Sequence, residues 1–126
     1  MRSESRLGMP KKVLVAEDDA TMVTLLQTLL KMEGYEVSTL DMDADVSAEI
    51  RRVKPDILLM DVHLGQQSGI EIVESVRSDP GFDNLRIFMT SGLDLREECL
   101  RHGADGFLLK PFMPDDLLSL IKDDIA

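Results

Sequence analysis

Four consecutive apolar residues, Ile57 to Met60, lie between the breaker Lys54-Pro55 and an abrupt stop at the carboxylate Asp61. A short apolar run with Pro on one side and Gly65 on the other predicts a strand over Asp56 to Met60 that is buried on both faces, as in a parallel sheet. Similar runs predict strands over Lys12 to Ala16, Leu85 to Thr90 and Gly106 to Leu109. Tyr35 to Leu40 alternates apolar and polar residues and predicts an edge strand. Between the strands the spacing turns helical. Val23, Leu26, Leu29 and Leu30 form a stripe from Ala20 onward, widened by Met22 and Leu25 and closed by Gly34 in the manner of a C′ glycine. Val46, Ile50 and Val53 mark a helix over Asp45 to Val53, and Ile70, Val73 and Val76 one over Ser68 to Arg77. Leu93 to Arg101 is a short helix stopped by Gly103, and Pro114 to Ile125 carries Leu117, Leu118, Leu120 and Ile121 on its core face. Five strand–helix units in strict alternation predict an α/β fold, a doubly wound five-stranded parallel sheet with helices on both faces.

Composition narrows the class. A chain of 126 residues is one domain, large enough to bury a core without disulfides or metal staples. Met1 to Pro10 is polar and aperiodic and is expected to be a disordered tail, with the domain occupying residues 11–126. The net charge is −10; Met1 to Lys12 alone carries +3, leaving −13 for the rest, the opposite of a nucleic-acid footprint. The single cysteine, Cys99, cannot pair within the chain and is expected to be a reduced packing or surface residue. No apolar run approaches a membrane span, and the N-terminus lacks a signal-peptide core, so a cytoplasmic protein is expected.

The strand ends carry the chemistry. Strand one ends on Glu17 and Asp18, strand three on Asp61, strand four on Ser91 and strand five on Lys110. In a doubly wound sheet these ends converge on one crevice. Three close carboxylates repel one another and want a hard cation such as Mg²⁺, which takes a few carboxylate oxygens and keeps several waters. With the charge so neutralised, Asp61 can attack a phosphoryl group as a carboxylate nucleophile. Lys110 offers a mobile positive charge to a phosphate oxygen and Ser91 a hydroxyl donor. Asp19 is better placed as the N-cap of the first helix than as a further ligand.

Taken in order, Val13-Leu14-Val15-Ala16-Glu17-Asp18-Asp19, Pro55 to Asp61, Gly69, Met89-Thr90-Ser91-Gly92 and Gly103 to Phe112 resemble the response-regulator receiver domain, the phosphoacceptor of two-component signalling, over about residues 11–125. The resemblance implies a flavodoxin-like (βα)5 fold with strand order 2-1-3-4-5. It implies that Asp61 accepts a phosphoryl group from a histidine kinase, a phosphotransfer protein or a small phosphodonor. Asp18 and Asp61 would hold Mg²⁺ directly, Glu17 through water, and the backbone carbonyl of His63 would complete the set. Ser91 matches the switch hydroxyl; Thr90 is adjacent, but Gly92 fits the small residue that follows the switch, so Ser91 is preferred. Lys110 matches the phosphate-binding lysine. Phe107 stands where the family has its aromatic switch, although a lone strand aromatic also serves as plain core packing. His63 is expected to be a solvent-facing loop residue and His102 a surface residue near a helix C-terminus.

Two departures stand out. Gly65 occupies a position where Pro is common, which should loosen that turn. The interval from Ser91 to Lys110 is shorter than usual by about three residues, close to one helical turn. The loss must fall before or within the start of the fourth helix, where Asp94 with Glu97 could cap about two turns, so the chain is not expected to use a fourth-helix dimer. Three rival readings differ in class. A Mg-dependent phosphohydrolase would need a second Asp where His63 stands. A flavin module would need a Gly-rich phosphate loop where Glu17-Asp18-Asp19 would repel phosphate. A receiver-like interaction module acting without phosphorylation is the serious alternative. Asp41 to Asp45 has the rhythm of a calcium loop, but Val46 and Arg52 replace the required Gly and Glu.

Overall fold

The computed structural model describes residues 11–40 and 43–125, and side chains as far as Lys122; the expected tail, Met1 to Pro10, lies outside the described residues, as do Asp41 and Met42. Five parallel strands form the sheet: β1 (Lys12–Ala16), β2 (Glu36–Thr39), β3 (Ile57–Asp61), β4 (Arg86–Ser91) and β5 (Gly106–Leu109). Their order is β2-β1-β3-β4-β5, the arrangement expected from the sequence. The helices are α1 (Ala20–Met32), α2 (Val46–Val53), α3 (Gly69–Arg77), α4 (Arg96–Arg101) and α5 (Pro114–Ile125).

Strand alternation divides the core into two layers. Leu14, Ala16, Leu58, Met60, Ile87, Met89 and Phe107 face α2, α3 and α4, where Val46, Ile50, Val73, Val76 and Cys99 complete one cluster. Val13, Val15, Ile57, Leu59 and Phe88 face α1 and α5, meeting Leu26, Leu30, Leu117 and Ile121. Because side chains alternate with period two, Glu17, Asp61, Thr90 and Lys110 continue the α1/α5 layer at its C-terminal rim, whereas Ser91 continues the other. β3 and β4 each run one residue later than their apolar pattern ends, through Asp61 and Ser91, because the ladder still pairs Asp61 with Thr90 and Ser91 with Leu109.

Most helix starts follow from their caps. Asp19 accepts from the backbone N–H groups of Thr21 and Met22, Asp45 from Ala48 and Ser68 from Glu71. The fourth helix differs from its expected span and cap. It begins at Arg96, not Leu93, because Asp94 Oδ1 takes the Arg96 N–H at 3.3 Å and leaves Leu95, which has no acceptor, at the N-cap. The six residues that remain are held through the buried Cys99 and through Arg96, whose guanidinium carbon stands 5.7 Å from the Phe107 ring centroid. Burial raises the Cys99 thiol pKa, with Glu98 adding to the effect, so Cys99 is a packing residue rather than a surface one.

A half-buried ion pair clamps the α3 side. Arg77 donates to the carbonyls of Gly103 and Phe82 and to Asp105 Oδ2, at 2.9, 3.0 and 2.8 Å. Asp105 Oδ2 also accepts the Ile87 N–H at 2.8 Å, so both charges have several partners, the condition for a buried pair to be tolerated. His102 is not a free surface residue: Nδ1 lies 2.5 Å from Glu74 Oε2, joining the end of α4 to α3.

Candidate functional site

The strand ends bring four charged side chains together. Lys110 leaves the end of β5 and places Nζ 2.8 Å from Glu17 Oε1 and 2.8 Å from Asp61 Oδ2. The two carboxylate oxygens are therefore no more than twice that distance apart. Their side chains are 5% and 13% exposed against 23% for the lysine, so the attraction acts with little solvent screening. Burial works to lower the Lys110 pKa, but the hydrogen bonds to Asp61 and Glu17, and their charges, overcome it and hold the ammonium above its ordinary value. The lysine is fixed as a cation.

Backbone N–H groups fix three of the remaining oxygens. Glu17 Oε2 accepts from Asp19 N at 3.1 Å, and Asp61 Oδ1 from His63 N at 3.0 Å. Asp18 Oδ2 accepts from Gly65 N at 2.5 Å. Among the described residues, Asp18 Oδ1 is buried and has no hydrogen-bond partner. A buried carboxylate oxygen left without a partner is costly, and a hard cation bound there would remove the cost. No three His, Cys, Asp or Glu side chains among the described residues are gathered as a metal cluster, since Lys110 stands between Glu17 and Asp61. The donor set nevertheless suits Mg²⁺, whose few carboxylate ligands are completed by water.

The two candidate hydroxyls are placed differently. Thr90, 4% exposed, pairs with Asp61 in the ladder and lines, with Glu17, Asp61, Leu26 and Phe112, a crevice too narrow for a water molecule. Ser91, 1% exposed, turns to the other layer, and its Oγ accepts the Leu93 N–H at 3.0 Å. Strand alternation thus places Thr90 in the same layer as Asp61 and Ser91 in the other. Phe107 is 1% exposed, in the layer away from Lys110. His63 is exposed, as expected of a loop residue.

The loop after Asp61 is a hairpin. His63–Leu64 and Gln67–Ser68 pair as a small antiparallel hairpin, with Gly65 at φ 59°. Gly69 then starts α3 against the end of β3: a Cβ there would lie 2.8 Å from the Asp61 carbonyl oxygen and 3.0 Å from Val62 Cα.

Comparison with known proteins agrees with this geometry. Residues 13–122 match the model of the response regulator receiver domain, and the chain belongs to that family, the phosphoacceptor domain of two-component signalling. The DNA-binding response regulator MtrA of Mycolicibacterium paratuberculosis is 28% identical over 116 residues, covering 90% of this chain and 51% of that protein. The chain thus spans about half the length of the curated relatives it matches. Among solved structures, the chemotaxis response regulator CheY4 of Vibrio cholerae superposes with a TM-score of 0.82 at 28% identity, covering 91% of this chain and 98% of that one. A CheY-like receiver domain protein of Methanospirillum hungatei gives 0.80 at 29% identity, covering 92% and 94%.

Proposed function

We propose that Asp61 is the phosphoacceptor, and that its phosphorylation, by a histidine kinase, a phosphotransfer protein or a small phosphodonor, switches binding to a protein partner. The observation that carries this reading is the Lys110 ammonium shared between Glu17 and Asp61 at 2.8 Å each. Asp18 and Asp61 would hold Mg²⁺ directly, Glu17 through water, with the His63 carbonyl completing the set; the cation supplies charge neutralisation at the incoming phosphoryl group.

In the transfer, an Asp61 carboxylate oxygen forms the new bond to phosphorus as the donor's bond to phosphorus breaks, leaving the donor with the electron pair. Lys110 offers its positive charge to a phosphoryl oxygen, and the Thr90 hydroxyl can donate to another. On this reading the chemistry is phosphorylation and dephosphorylation of Asp61 itself. An interaction module that dispensed with phosphorylation would have no use for a half-buried lysine bridging two carboxylates beside a third with one buried, partnerless oxygen. No described helix is long and apolar enough to cross a membrane.

Phosphorus NMR of the protein with acetyl phosphate and Mg²⁺ tests this reading through an acyl-phosphate resonance. The two hydroxyls separate cleanly. A hydrogen bond to a charged group contributes about 1.5–3 kcal/mol, so Thr90→Ala slows phosphorylation about tenfold or more. Ser91→Ala leaves the rate within about twofold and lowers stability by about 1 kcal/mol through its lost bond to Leu93 N. The reverse pattern would return the switch role to Ser91.

A further inference from the structure

The hairpin after Asp61 contains a donor aimed at the proposed cation site. Gly65 and Gln66 form its two-residue turn, and Gly65 has φ 59° while Gln66 is not among the positive-φ residues. A positive φ at the first central position alone is the type II′ pattern, where glycine is favoured. The turn is held from two sides: Gln67 Nε2 donates to the Ala44 carbonyl at 3.1 Å, and Gly65 N donates to Asp18 Oδ2 at 2.5 Å, across 47 residues of sequence. The second bond spends one Asp18 oxygen and leaves Oδ1, buried and partnerless, with a single orientation.

We infer that the Gly65 N–H is a positioning group for divalent-cation binding, fixing Asp18 so that Oδ1 is the oxygen presented to the metal. The inference rests on the metal site proposed above. Groups that orient a ligand through its second atom commonly matter to affinity almost as much as the ligand does, because an unrestrained carboxylate loses rotamer freedom on binding. A proline at this position has no N–H to give, and its fixed φ near −65° could not form this turn.

Chemical synthesis separates conformation from hydrogen bonding, since D-proline and D-alanine both accept a positive φ at position 65 and only D-alanine keeps the N–H. Isothermal titration with Mg²⁺ is expected to show a ten- to hundredfold weaker affinity for the D-proline protein and a change within about threefold for D-alanine. Equal affinity in the D-proline protein would overturn the inference. A second readout needs no metal. In the metal-free protein the Gly65 amide is expected to exchange slowly and to shift on Asp18→Ala, and a freely exchanging amide would equally overturn it. Failure of the unsubstituted chain to bind Mg²⁺ at all, with the amide still protected, would instead overturn the metal site.

Discussion

Lys110→Met is expected to abolish phosphorylation and to lower stability by about 2–3 kcal/mol in Mg²⁺-free buffer. Removing one member of a buried pair costs about 3–5 kcal/mol, because the remaining charge stays desolvated without a partner. Here two carboxylates, Glu17 and Asp61, lose the same cation, while the 23% exposure of the lysine lets solvent screen part of the effect. Urea unfolding with and without Mg²⁺ checks this, since a bound cation should restore part of the loss. The pH dependence has a definite sign. A lysine whose pKa is raised in the folded state contributes its full stabilisation below the unfolded value of about 10.4 and loses it as pH rises through the folded value. The gap between the parent and Lys110→Met should therefore be flat through neutral pH and close as pH rises into the alkaline range. A variant as stable as the parent at pH 7 would contradict the bridging role.

Gly69→Ala is the second large effect, and simple helix propensity predicts its sign wrongly. Alanine is better than glycine inside a helix by about 0.8–1 kcal/mol. Position 69 is the first residue of α3, and its Cβ would meet the Asp61 carbonyl oxygen at 2.8 Å, Met89 Cε at 2.9 Å and Val62 Cα at 3.0 Å. The Met89 methyl can swing aside, but the other two atoms are backbone of the acceptor strand and its exit. Their displacement costs about 1–3 kcal/mol, as overpacking of a tight site generally does. The net expectation is destabilisation of about 1–2 kcal/mol with a slower phosphorylation rate, since the shift moves the Asp61 peptide itself. Unchanged denaturant midpoint and rate would show that α3 can retreat without disturbing the acceptor.

What the sequence revealed and what it hid have a common physical origin. The order of strands and helices was legible because buried parallel strands are continuous apolar runs and their connecting helices are periodic. Glu17, Asp18, Asp61 and Lys110 were legible for the same reason: each interrupts its run where the strand stops. The choice between Thr90 and Ser91 was not. A strand covered on both faces shows no alternation, so nothing local states which layer a residue enters; pairing with Asp61 on the neighbouring strand shows the layer of Thr90, and the two alanine variants decide the role. The start of α4 was missed because Asp94 turns its carboxylate to the Arg96 N–H and so delays the helix it was expected to cap. The bond from Gly65 N was not legible either, because a backbone N–H leaves no trace in a sequence. Its partner, Asp18, lies on another strand end.

The central claim is that Asp61 accepts one phosphoryl group in a reaction that needs Mg²⁺. Intact mass after incubation with acetyl phosphate and Mg²⁺, alongside Asp61→Asn, tests it most directly. The expected result is a gain of one phosphoryl group, lost in EDTA and absent from Asp61→Asn. No gain in a folded protein that binds Mg²⁺, or a gain that persists in Asp61→Asn, would contradict it.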